Sequence, residues 1–225
     1  MSLCTLGSTE ITRLDCMIPA WGRLTADIQL QGSTAPAVGA QLQLNIAGVS
    51  RTVTVIRGAA PYQQPRVRVV GGAGKLDFVP RVDQLKDYGQ VSLSTVARDI
   101  LLLASEKPGN LSALNSVAKS WQTFQERAFQ ALGRVFRRQP VLDLWCEHDG
   151  TFSARERPFS TTVAGFVRGV LPQERQVLVS ADEGTLEPGV ILSTLYGDYR
   201  LERVQYELDP EDERGQLLAR CWYQI

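Results

Sequence analysis

The chain has a single histidine, His148, and no surplus of either charge: 24 Lys and Arg stand against 24 Asp and Glu. A cationic excess is what drives sequence-independent phosphate binding, so composition argues against a dedicated nucleic-acid binder. Its four cysteines, Cys4, Cys16, Cys146 and Cys221, are scattered. No CxxC pair exists, so the short ligand spacings of a zinc site are missing, and four reduced thiols formed in a cytoplasm are expected. No run approaches the roughly 20 apolar residues that cross a bilayer. The opening MSLCTLGSTEITRL lacks the basic-then-apolar order of a secretory signal, so no membrane anchoring by this chain is expected.

What is present is alternation. IQLQ, LQLNI, RTVTVI and PRVRVVG read apolar-polar at period two, the pattern of a sheet with one wet face. Gly32, Gly48 and Gly58 fall between them at turn-like intervals, which favours a small barrel or sandwich. The C-terminal stretch looks like a second version of the same module. Residues 23–72 and 174–223 both lead an extended segment through a Gly turn (Ala37-Val38-Gly39, Glu187-Pro188-Gly189) into a strand. An arginine-bearing strand follows (Arg51 to Arg57, Arg200 to Tyr206), then a loop holding Pro61 or Pro210, then a last strand. Self-similarity at this scale turns attention from a reaction to the use of two copies.

The middle differs. VSLSTVARDILLLASE offers Ser94 as an N-cap with Val96, Ile100, Leu101 and Leu103 along one flank, predicting a helix that ends before Pro108-Gly109. A second helical stretch is predicted over 110–138, with Trp121, Phe124, Ala128, Leu132 and Phe136 at three- and four-residue steps. Asp149-Gly150 then marks a hairpin in VLDLWCEHDGTFSARER. The expected fold is mainly β with an α+β middle: a first β module over 1–80, helices and hairpin over 81–158, and a second β module over 159–225.

Candidate chemistry is thin. His148 has the titration range of a general base, yet it sits at a turn where an exposed tip residue is the simpler assignment. Gly71-Gly72-Ala73-Gly74-Lys75 resembles a phosphate loop, but Val69 and Leu76 stand where a P-loop needs glycine and a hydroxyl, so a flexible linker or hairpin is expected. The acids Glu207, Asp209, Glu211, Asp212 and Glu213 lack the alternating spacing of a calcium loop. Arg134, Arg137 and Arg138 suit a helix C-terminus. The aromatics Trp21, Trp121, Trp145, Trp222, Tyr206 and Tyr223 do not interleave with basic residues as stacking platforms do, and read as core or interface anchors. No catalytic, cofactor-binding or metal-ligating residue is assigned, and no cofactor.

The segments VSLSTVARDILLLASE, WQTFQERAFQALGRVFRRQ, VLDLWCEHDGTFSARER and GDYRLERVQYELDPEDERGQLLARCWY resemble, in pattern and order over about residues 90–225, phage tail hub proteins. That family holds the baseplate hubs of contractile-tailed phages, the late control D proteins and the hub part of VgrG spikes. The resemblance implies two small tube-like β-barrels flanking the helix-and-hairpin segment. It implies a non-enzymatic virion structural protein: a homotrimeric ring at the tail tip, or baseplate, that adapts a hexameric tail tube to a trimeric tip. Implied partners are the tail tube or distal tail protein, a tape measure protein and spike or fibre proteins, with DNA only passing through the channel. A distal tail protein with six-fold symmetry and a small β-rich hydrolase remain as alternatives.

Overall fold

The alternating segments pair as strands in the computed structural model, which describes residues 3–59, 64–181, 186–208 and 216–224. Six strands come from the first 71 residues: β1 (Cys4–Leu6), β2 (Thr9–Pro19), β3 (Thr25–Leu30), β4 (Gln41–Ile46), β5 (Val49–Ala59) and β6 (Arg66–Gly71). They pair antiparallel in the order β1-β4-β5-β6-β3-β2, and β1 pairs β2 again, with Leu6 opposite Thr9. This is a closed six-stranded barrel. Its inward row, including Leu14, Ile28, Leu44, Val55 and Val69, is fully buried, and closure leaves the short β1 no open edge.

The C-terminal strands are β13 (Thr162–Ala164), β14 (Phe166–Leu171), β15 (Gln176–Ser180), β16 (Ile191–Thr194), β17 (Gly197–Leu208) and β18 (Leu217–Gln224). Here the order is β16-β17-β18-β15-β14, and β13 pairs β16 in parallel. Only Gly165 separates β13 from β14; a Cβ there would lie 2.5 Å from Leu192 Cδ1. The loops holding Pro61 and Pro210 lie outside the described residues.

The two sets are one sheet. β2 pairs β3 along one edge; its other edge starts on β1 and then runs beside β17, from Leu14 opposite Leu208 to Pro19 opposite Arg203. A single hydrophobic core follows, from Cys4 through Val69 and on from Val177 to Cys221.

The middle segment has a core of its own, built from Leu76 to Ala154. Two-residue strands β7 (Asp87–Tyr88), β8 (Val91–Ser92), β9 (Val117–Ala118) and β10 (Trp121–Gln122) pair as β7 with β10 and β8 with β9. Helix α1 (Leu93–Leu103) is capped by Ser92, whose Oγ accepts from Thr95 N at 3.2 Å, two residues before the predicted Ser94. It ends in a Schellman pair, Ser105 N to Leu102 O and Glu106 N to Leu101 O, with Ser105 at φ +59°.

The predicted helix over 110–138 is largely overturned. Only α2 (Ala128–Phe136) forms, and Trp121 lies in β10. The reason is competition by short polar side chains: Asn110 Oδ1 accepts from Ser112 N, and Thr123 Oγ1 accepts from Lys86 N. The hairpin of β11 (Asp143–Cys146) and β12 (Phe152–Arg155) is as expected, but only Gly150 takes positive φ, +82°. Gly150 N donates to Glu147 O, and Glu147 N to Thr151 O, a three-residue loop closed by glycine.

Candidate functional site

The two strand sets repeat one another in register. β3 and β6 place Asp27 opposite Arg68, while β15 and β18 place Gln176 opposite Trp222. Carrying that frame outward aligns β4, β5 and β2 with β16, β17 and β14. The irregularities then coincide: β5 shifts register between Val55 and Arg57, and β17 between Leu201 and Arg203. β2 shifts between Ile11 and Arg13, and β14 between Val167 and Gly169. Bulges re-aim strands, so shared bulges mean shared curvature.

The turns match as well. Ala40 N donates to Ala37 O and Val190 N to Glu187 O, with Gly39 and Gly189 both at φ +88°, the type II signature. Each turn then clasps the bulged strand in the same way. Gly39 N reaches Val55 O at 2.7 Å and Val55 N reaches Ala40 O at 3.0 Å; Gly189 N reaches Leu201 O at 2.8 Å and Leu201 N reaches Val190 O at 2.9 Å. One difference stands out. β1 turns back into β2 at Gly7, whereas β13 continues straight into β14, so β1 is antiparallel to β4 and β13 parallel to β16.

The seam between the sets joins unlike positions: the second strand of one to the fifth strand of the other. At its centre Tyr206 is fully buried opposite Cys16, and its hydroxyl donates to Leu186 O at 2.8 Å. Beside it Glu187 accepts from Arg51 Nη2 and lies 2.7 Å from His148 Nε2. Burial pulls the Glu187 carboxyl upward, but the His148 hydrogen bond and the Arg51 charge outweigh it and hold the group below its usual range. His148 thus ties the middle hairpin to both strand sets.

The other sequence candidates have local partners. His148 and Cys146 line one cavity of about 20 Å³, a juxtaposition that cysteine spacing did not reveal. Burial, with the charges of Glu106, Glu147 and Asp149, pushes the Cys146 thiol up to about 12, so it is not a thiolate nucleophile. Burial likewise raises Cys16 and Cys221 to about 12 and Cys4 to about 11.

The glycine loop is no flexible linker. Glu106, buried at the end of α1, accepts from Ala73 N at 2.7 Å and Lys75 N at 2.6 Å. The loop does cradle an anion, and the anion is the chain's own carboxylate. Glu207 faces Arg220 at 3.4 Å across the β17–β18 ladder, while Asp209, Glu211, Asp212 and Glu213 lie outside the described residues. Arg134 sits in the last turn of α2, stacks 4.6 Å from the Phe124 ring and donates to Glu126 at 2.8 Å. Trp21 packs edge-on against Phe129 at 4.5 Å, Trp145 is buried under Arg155, and Trp222 is covered by Arg203 at 3.9 Å. Among the described residues no cluster of three His, Cys, Asp or Glu suits a metal ion.

No protein-family model and no curated protein sequence matches this chain. Solved structures do. The 43 kDa tail protein of prophage MuSo2 from Shewanella oneidensis superposes with a TM-score of 0.69 at 10% identity, covering 98% of this chain and 97% of that one. The fold is that of phage tail proteins. A tail protein from Neisseria meningitidis MC58 gives a TM-score of 0.67 at 13% identity, over 97% and 94% of the two chains. The E. coli c3393 protein, a type VI secretion component described as similar to the T4 tail proteins gp27 and gp5, gives 0.71 at 10% identity, over 99% of this chain and 77% of its own.

Proposed function

We propose that this chain is a structural protein of the virion tail tip, a hub whose three copies form a ring that joins a six-fold tail tube to a three-fold tip and lines the DNA channel. The supporting observation is the direction of the repeated strands. Through three antiparallel pairings, β5 runs antiparallel to β2, and β17 runs antiparallel to β2 as well. Equivalent strands therefore point the same way in both sets. Units related in that manner are joined head to tail rather than as a two-fold pair, and a heterologous contact of this kind forms a ring when its rotation closes. In this reading the C-terminal set is a second tube-like barrel, closed through the straight passage of β13 into β14. Three chains then present six like units to the tube, while the middle segments keep three-fold order.

A tail tube or distal tail protein would stack on one rim, with tape measure and spike or fibre proteins on the axis. The balanced net charge suits a wall past which DNA moves without adhering. Light-scattering mass and electron microscopy of the purified chain test the reading: three copies with six similar sheets around the axis are expected. Six copies, each giving one ring unit and one peripheral unit, would replace the hub with a distal tail protein.

A further inference from the structure

Helix α2 holds a glycine that neither its backbone nor its packing requires. Gly133 lies inside the helix without positive φ, at a position where alanine is the better helix former. Nor is there a neighbour to exclude a side chain: a Cβ would lie 3.8 Å from Trp21 Cη2, an ordinary contact. The missing side chain leaves open a groove of about 670 Å³, with Gly133 in its wall beside Trp21, Phe129, Phe136 and Leu142. Phe129 is 38% exposed there, although its ring packs 4.5 Å from that of Trp21. A groove of that size and lining suits the apolar part of a ligand.

Charge indicates what kind of ligand. Arg134 and Arg137 line this groove and also a neighbouring one of about 380 Å³, which holds Trp121, Phe124 and Arg138. The acids lining the first groove are already committed, Glu126 to Arg134 and Asp143 to Arg157. Arg137 and Arg138 are exposed, and among the described residues neither guanidinium has an ion-pair partner. They follow the last turn of α2, but a helix end carries only about half a charge, too little to account for both. Two uncompensated cations also fall short of the charged track along which a nucleic-acid strand lies.

We infer that this face of α2 is a docking site for an acidic segment of another protein. The segment seats an aromatic or aliphatic side chain against Trp21 and Phe129 and lays carboxylates on Arg137 and Arg138. Guanidinium–carboxylate pairs fix its register, and the apolar groove supplies the anchor. Every residue of the site belongs to one chain, so it is complete without a neighbouring copy.

A random dodecapeptide library selected on the purified full chain should enrich sequences that set acids beside an aromatic residue or leucine. The enriched peptide, labelled with fluorescein, is then the probe. Its affinity should fall by about tenfold or more with Arg137→Glu plus Arg138→Glu, and likewise with Gly133→Leu, which fills the groove. Gly133→Ala should raise the unfolding midpoint by about 2–4 °C, and Gly133→Leu should not lower it. No enrichment, enrichment of neutral or basic sequences, or equal binding to every variant would overturn the site. Displacement of the probe by a single-stranded oligonucleotide would overturn it in favour of a nucleic acid. Loss of probe binding on self-association would give the face to a second copy instead. A midpoint that falls in Gly133→Ala would return the glycine to the needs of the fold and remove the case for an open groove.

Discussion

The N-terminal and C-terminal strand sets share strand order, bulges and one turn, and they differ at one joint. In the first, Gly7 at φ +59° reverses the chain, and β1 seals the barrel by pairing β2. In the second, Gly165 lets the strand run on, and the chain itself bridges β14 to β13. Sequence identity between the sets is slight because only turns, bulges and the inward row carry the geometry. Matched registers survive where matched residues do not: Asp27 and Arg68 form an ion pair at a position where Gln176 faces Trp222.

The largest effect comes from breaking what the sets share. Tyr206→Ala removes a fully buried ring from the seam and should cost about 3–5 kcal/mol in chemical denaturation, whereas Tyr206→Phe loses only the bond to Leu186 O, about 1 kcal/mol. Equal losses from both variants would deny the ring its packing role.

The matched turns sharpen the comparison. Both Gly39 and Gly189 need positive φ, but a Cβ at Gly39 meets nothing within 4 Å, while one at Gly189 lies 2.9 Å from Pro158 Cδ. Gly39→Ala should therefore cost about 1 kcal/mol of backbone strain. Gly189→Ala should cost about 2–4 kcal/mol, since crowding against the rigid proline adds to the strain. Thermal unfolding of the two variants side by side reads the difference.

The last effect is pH-dependent. The Glu187 carboxyl lies below its ordinary value of 4.5, so its bonds to Arg51 and His148 stabilise the fold above that pH and are lost as pH falls through the depressed value. Glu187→Gln should lower stability by about 1–3 kcal/mol at pH 7, and the gap to the wild type should close progressively below pH 4. A gap that stays constant down to pH 2 would refute the assignment.

Strands were legible where one face is wet and the other dry, because period two is a local property of IQLQ or RTVTVI. The turns at Gly39, Gly150 and Gly189 were legible because positive φ selects glycine. The spacing of Trp121 and Phe124 fits a helix longer than α2, while Asn110, Ser112 and Thr123 hold the backbone in turns and short strands through bonds the spacing does not show. The seam joins strands about 190 residues apart, and the Glu106 cradle joins residues about 30 apart; neither leaves a periodic trace. The parallel run of β13 beside β16 hangs on one glycine that does not turn.

That straight passage at Gly165 also sets where the middle segment rejoins the sheet. Cys4 enters the first set opposite Ile46, and Gln224 leaves the second opposite Arg200. Thr162 enters opposite Ile191, the partner of that same Arg200, so the middle segment returns at the level where Gln224 leaves. The middle segment departs at Gly71, opposite Val53, the position that matches Tyr199, so it leaves and rejoins the sheet at matching levels of the two strand sets, and a side chain changed in either joint would be felt at the same height of the shared core.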